Sequence, residues 1–143
     1  MQNYFSIILA ILMCQGYNPS QNQEVSVSLR KINDMQGDLH IVNHLKEDIV
    51  VNKFILSVNV LIFELQTDTG YIKKISGTPP PIPPSNLEAY DVVLKQNEAI
   101  TISLHFPSSK NKDKTKVKLR AKIPYKTRIC QNEKIAYSDW IFL

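Results

Sequence analysis

The chain has 143 residues, 43% of them hydrophobic and 21% charged, with a net charge of +4 at pH 7. That composition excludes a disordered tail and a multispan membrane protein, and the length suits one globular domain with a single core. Two cysteines, Cys14 and Cys130, are too few for a disulfide framework, and a core of this size does not need one.

The first element is an apolar run, FSIILAILMC at residues 5–14, with no charge. It has the length of a signal-peptide core and about half the roughly twenty residues that a transmembrane helix requires. Gln15, Gly16, Asn18 and Pro19 end the run, and no charge follows before Glu24. Residues 1–16 therefore read as a leader, 17–23 as a flexible tether and 24–143 as the folded domain. Ile11 stands three positions before Cys14, which resembles the signal of bacterial lipoproteins, whose cysteine is lipidated and becomes the new N-terminus. Met13 and the absence of Lys or Arg from MQNYF depart from that pattern. Cys14 and Gly16 also form the small-x-small pattern of ordinary signal peptidase, which would release a soluble chain starting at Tyr17. An uncleaved apolar first strand or helix is the third alternative. Lipidation at Cys14 is placed first; in that case more than one acyl chain, at about 0.8 kcal/mol per buried CH₂, gives lasting attachment.

Beyond residue 23 the pattern has period two. Val25, Val27 and Leu29 alternate with Ser26, Ser28 and Arg30, and Leu39 and Ile41 continue the theme after a turn at Gly37. Residues 49–65, IVVNKFILSVNVLIFEL, are too long for one strand and are expected to hold two, broken near 53–59. Their Val, Ile and Phe content and the lack of caps disfavour a buried helix. Thr67, Asp68, Thr69 and Gly70 form a turn, across which 71–75 can pair back. The proline run at 78–85 cannot donate to a ladder and reads as a rigid crossover between two sheets. Strands follow at 90–94, 99–106, 115–124 and 135–143, the third with Val117, Leu119, Ala121 and Ile123 inward. The fold class expected is all-β: an antiparallel immunoglobulin-like β-sandwich of about seven to nine strands, preceded by the signal segment.

No constellation points to catalysis. His40 and His44 would lie about 13 Å apart along one strand, too far to share a metal. Four glycines leave no phosphate-cradling loop, and no G-x-S-x-G turn is present. Glu64, Asp68, Asp34 and Asp38 read as turn and surface acids. Cys130 has Lys126, Arg128 and Lys134 around it, which favour a thiolate, but no base accompanies it. No catalytic residue, metal or cofactor is assigned, and the chain is not expected to be an enzyme.

Charge is the unusual feature. Nine basic residues stand between 107 and 128 against Asp113 alone. Lys110, Lys112, Lys116, Lys118, Arg120 and Lys122 form a stripe, read either as lysines protecting an edge strand or as a site for an anionic polymer or lipid headgroup. No aromatic residue alternates with them along the chain, so nucleic acid is disfavoured.

Asn43 at a strand end, FELQTDTG at 63–70, the proline run, YDVVLKQNEAITISLHF at 90–106, KVKLRAKIPY at 116–125 and YSDWIFL at 137–143 together resemble a group of small exported bacterial proteins, often lipoproteins, with an immunoglobulin-like sandwich. Tyr125 supplies the tyrosine that ends the group's penultimate strand, and Ser138 and Trp140 the serine and aromatic of its last. Residues 95–98 keep only the acidic member of its proline-glycine-acidic turn. The resemblance spans residues 39–143 and implies export and fold, with no activity. The functional expectation is a non-enzymatic, lipid-anchored interaction or accessory module of the bacterial cell envelope. Its partners would be the membrane and an envelope protein or anionic polymer. The alternative is a soluble secreted or periplasmic inhibitor or ligand-binding domain, using loops near 79–86 and 126–134.

Overall fold

The computed structural model describes residues 24–58, 62–70, 72–74, 82–106 and 117–143. Strands β1 (Val25–Lys31) and β2 (Gln36–Asn43) form the first hairpin, and β3 (Ile49–Asn52) runs directly into one helical turn, α1 (Lys53–Ser57). Strands β4 (Phe63–Gln66) and β5 (Ile72–Lys74) follow, and a 3₁₀ turn at Leu87–Tyr90 leads into β6 (Asp91–Leu94). The chain closes with β7 (Ala99–His105), β8 (Lys118–Thr127), β9 (Lys134–Tyr137) and β10 (Ile141–Phe142). Every pairing is antiparallel. One sheet has the order β1-β2-β7 and the other β5-β4-β8-β3-β6, with β9 and β10 also on β8. The protein is an all-β, two-sheet antiparallel sandwich.

Alternation explains which residues fill it. Val25, Val27 and Leu29 of β1, Leu39 and Ile41 of β2, and Leu119, Ala121 and Ile123 of β8 are buried between the sheets. Each fully buried Leu or Ile contributes about 1.5–3 kcal/mol relative to exposure. The long apolar stretch does hold two strands, with α1 as the break. Asn52 caps α1 by accepting from the Ile55 N–H at 3.2 Å, and Leu56 of that turn is fully buried. At Gly37 a Cβ would collide with the Phe106 ring and lie 2.6 Å from the Arg30 carbonyl oxygen, so glycine is required there by close approach.

Much of the proline run lies outside the described residues, and β5 and β6 on either side of it belong to the same sheet. Two expectations are corrected. β8 continues past Pro124 to Thr127 and is a central strand. Its lysines therefore do not protect an edge. The expected sandwich holds: the described residues give ten strands, the last expected one being two short strands divided at 138–140. Lys118, Arg120 and Lys122 are half-buried and not freely solvated.

Pro124 inside a central strand has a specific reason. Ser138 exchanges bonds with the amide and carbonyl of Ala121, so odd-numbered residues of β8 turn their backbone toward β9 and β10. Even-numbered residues turn theirs toward β4 and β3. The β4 pairing ends at Ala121 and the β3 pairing begins at Lys126, so the donor that Pro124 lacks faces a gap in the ladder.

Candidate binding face

The outward side of β8 carries the described half of the basic stripe: Lys118, Arg120 and Lys122. Lys110, Lys112 and Lys116, like Cys14, lie outside the described residues. Register places Lys122 opposite Tyr137 of β9 and Lys118 opposite Phe142 of β10. Between those strands, Ser138 is buried and acts as a fastener. Its hydroxyl accepts from the Ala121 N–H at 2.8 Å and donates to the Asp139 carbonyl at 2.9 Å, and its own N–H donates to the Ala121 carbonyl. The chain leaves the ladder there and carries Trp140 back over β8.

The result is a cluster of rings around cations. The Arg120 guanidinium lies 4.2 Å from the Tyr137 ring centroid and 4.6 Å from that of Trp140, and the Lys118 ammonium lies 5.1 Å from Phe142. Such contacts contribute about 0.5–2 kcal/mol each. On the opposite flank Glu64 of β4 stands in register with Arg120. Its Oε2 accepts from Arg120 Nε at 2.9 Å and lies 2.8 Å from Nη2. Glu64 thus neutralises Arg120 and fixes the plane against which the rings stack. Lys118 and Lys122 have no acidic partner among the described residues. Tyr137 and Phe142 remain 41% and 59% exposed, so the face offers both charge and apolar ring surface. Reading along the chain missed these aromatics, because they reach the cations across strands.

A cleft of about 360 Å³ opens beside the gap at Pro124, with Val50, Ile55 and Tyr125 in its walls and Glu88, Asp91, Glu133 and Lys126 as its charges. Its central polar group is already engaged: Asn52 Nδ2 donates to Asp91 Oδ1 at 2.6 Å and to the Leu87 carbonyl at 2.9 Å. Two of the three histidines are spent on hydroxyls, His40 on Thr101 and His44 on Ser26, each at 2.9 Å. No three His, Cys, Asp or Glu side chains among the described residues come together as metal ligands. Cys130 is disulfide-bonded and so is not a thiolate. Its backbone is pinned by Thr127, whose hydroxyl exchanges bonds with the Cys130 N–H at 3.0 Å and carbonyl at 3.3 Å.

Tyr125, on the inward side of β8, has its hydroxyl pushed up to about 12, first by burial and then by the negative charges of Glu24 and Glu47. The folded state thus favours the neutral phenol. The corresponding stability is fully present below the unfolded value near 10 and is lost as pH rises from about 10 to about 12. Alkaline unfolding of the wild type should steepen across that window, and Tyr125→Phe should flatten it; equal slopes in urea titrations of the two proteins would refute the assignment.

No protein-family model matches the chain, and no curated protein matches it. Solved structures similar to it include a structural-genomics target solved by X-ray crystallography, at 7% identity and a TM-score of 0.55, covering 87% of this chain and 89% of that one. Another is the Bordetella pertussis protein designated ApaA, at 11% identity and a TM-score of 0.50, covering 83% and 89%. At these identities the likeness shows the sandwich fold alone.

Proposed function

We propose that the protein is a non-enzymatic, exported binding module of the bacterial cell envelope whose β8–β10 face takes an anionic polymer. The observation that carries the binding reading is the conjunction of Lys118 and Lys122, without acidic partners among the described residues, and the ring cluster of Tyr137, Trp140 and Phe142 on one outward surface. The ammonium groups attract carboxylate, sulfate or phosphate, and ring faces cover the apolar faces of sugar residues. Arg120, held by Glu64, organises the rings.

Heparin serves as the probe and neutral dextran as the control. Wild-type protein should be retained at low salt and released as salt shortens the Debye length, and polymer should alter the fluorescence of Trp140, the only tryptophan. Lys118→Glu/Lys122→Glu should abolish retention while remaining folded; unchanged retention would rule the face out. A lipid anchor at Cys14 competes with the Cys130 bridge and has its own test. One sulfur cannot be in a bridge and in a lipid thioether, and Cys14 is the only other cysteine available to pair with Cys130 within the chain. Intact mass of the native protein separates the cases: a diacylglyceryl adduct lost in Cys14→Ala supports the anchor. A bare chain lacking two thiol hydrogens overturns it without touching the binding face.

A further inference from the structure

We propose that β7 is a self-association edge, at which two copies of this chain pair antiparallel about a two-fold axis through Ile102 and join their three-stranded sheets into one. This concerns the sheet opposite the β8–β10 face and stands independently of the binding proposal.

Among the described residues, the backbone of β7 from Ala99 to Ser103 is engaged on one side only. The Phe106 N–H donates to the Met35 carbonyl and the Glu98 carbonyl accepts from the Asn43 N–H, so even-numbered residues turn their backbone groups toward β2. Ala99, Thr101 and Ser103 turn theirs to the open edge, where no described strand meets them. Such a row is a template for another strand, and proteins usually blunt it with charge, proline or a bulge. Other outer strands are blunted or too short: β1 ends in Arg30 and Lys31, β5 carries Lys73 and Lys74, β6 begins with Asp91, β9 begins with Lys134, and β10 has two residues. β7, AITISLH, has no Lys, Arg, Asp, Glu, Pro or Gly. Its inward-facing Ile100 and Ile102 are only half-buried, whereas Leu104 is buried.

The sequence of β7 selects a second copy as the occupant, because it is complementary to itself. With the axis at Ile102, Thr101 of each copy faces Ser103 of the other at hydrogen-bonding positions. Ile100 faces Leu104, and Ile102 faces Ile102, at the closer non-bonded positions. Hydroxyl meets hydroxyl, apolar meets apolar, and no like charges are opposed. The same contact covers the half-exposed isoleucines.

Sedimentation equilibrium of the full chain from micromolar to millimolar concentration should show the average mass rise from one chain toward two. Thr101→Pro removes an outward N–H without breaking a bond to β2, and Ser103→Lys places like charges at the seam; both should hold the mass at one chain with unchanged circular dichroism. The register is tested by Ile102→Cys, which should cross-link between copies on mild oxidation, whereas Ile100→Cys should not. A wild type that stays monomeric to millimolar concentration, or a dimer that persists in both edge variants, overturns the proposal. A dimer lost in the edge variants that fails to cross-link through Ile102→Cys overturns the two-fold register.

Discussion

Replacing Asn43 by alanine is expected to cost roughly 3–5 kcal/mol of folding stability, from the loss of three bonds at a buried site. Asn43 is fully buried at the end of β2. Its Nδ2 donates to the Glu47 and Leu94 carbonyls, and its Oδ1 accepts from the Leu45 N–H, each at 2.9 Å. Its backbone also bonds both ways with the turn before β7, donating to Glu98 and accepting from Asn97. The side chain therefore ties the 44–48 crossover to the end of β6, and the backbone of the same residue holds the β6–β7 turn. Alanine leaves two carbonyls and an amide without their protein partner at a site where Asn43 itself is fully buried. Asn43→Asp should be worse still at neutral pH, since it keeps the acceptor but sets a carboxylate against two carbonyl oxygens. The urea midpoint should fall with the slope unchanged. A loss below about 1 kcal/mol for alanine would show that the clamp is dispensable.

The second large effect is expected at Arg120. Its side chain is 25% exposed and that of Glu64 11%, so the pair is mostly withdrawn from water. Arg120→Met leaves the Glu64 carboxylate without its cation and takes away what separates Tyr137 from Trp140, at an expected cost of about 2–4 kcal/mol, slightly under the range for fully buried pairs because some solvent reaches the site. Glu64→Leu with Arg120→Met should recover most of that loss, because apolar groups of similar volume replace a pair whose desolvation offset much of its attraction. A double-mutant cycle by chemical denaturation measures the coupling. Additive losses would mean that the pair contributes nothing beyond its separate side chains. Trp140 emission should shift to the red in the single variant, since its ring loses a stacking partner and meets water.

The alternation of apolar and polar side chains was enough to identify the inward sets of β1, β2 and β8, because successive side chains on a strand must point to opposite faces whatever the neighbours are. The break in residues 49–65 and the Gly70 turn were legible for the same local reason: Gly70 has φ 79°, a conformation that glycine adopts without penalty. Partners across strands were not legible. Tyr137 and Trp140 meet Arg120 through the register of β8 with β9 and through Ser138 drawing the chain out of the ladder. Neither is a property of any local window. The centrality of β8, the place of Pro124 against a gap, and the ends of the proline run on one sheet were likewise decided by pairing order. A strand's own residues specify which of its faces is apolar; only the tertiary arrangement specifies which strand lies at each edge and which side chains meet across it.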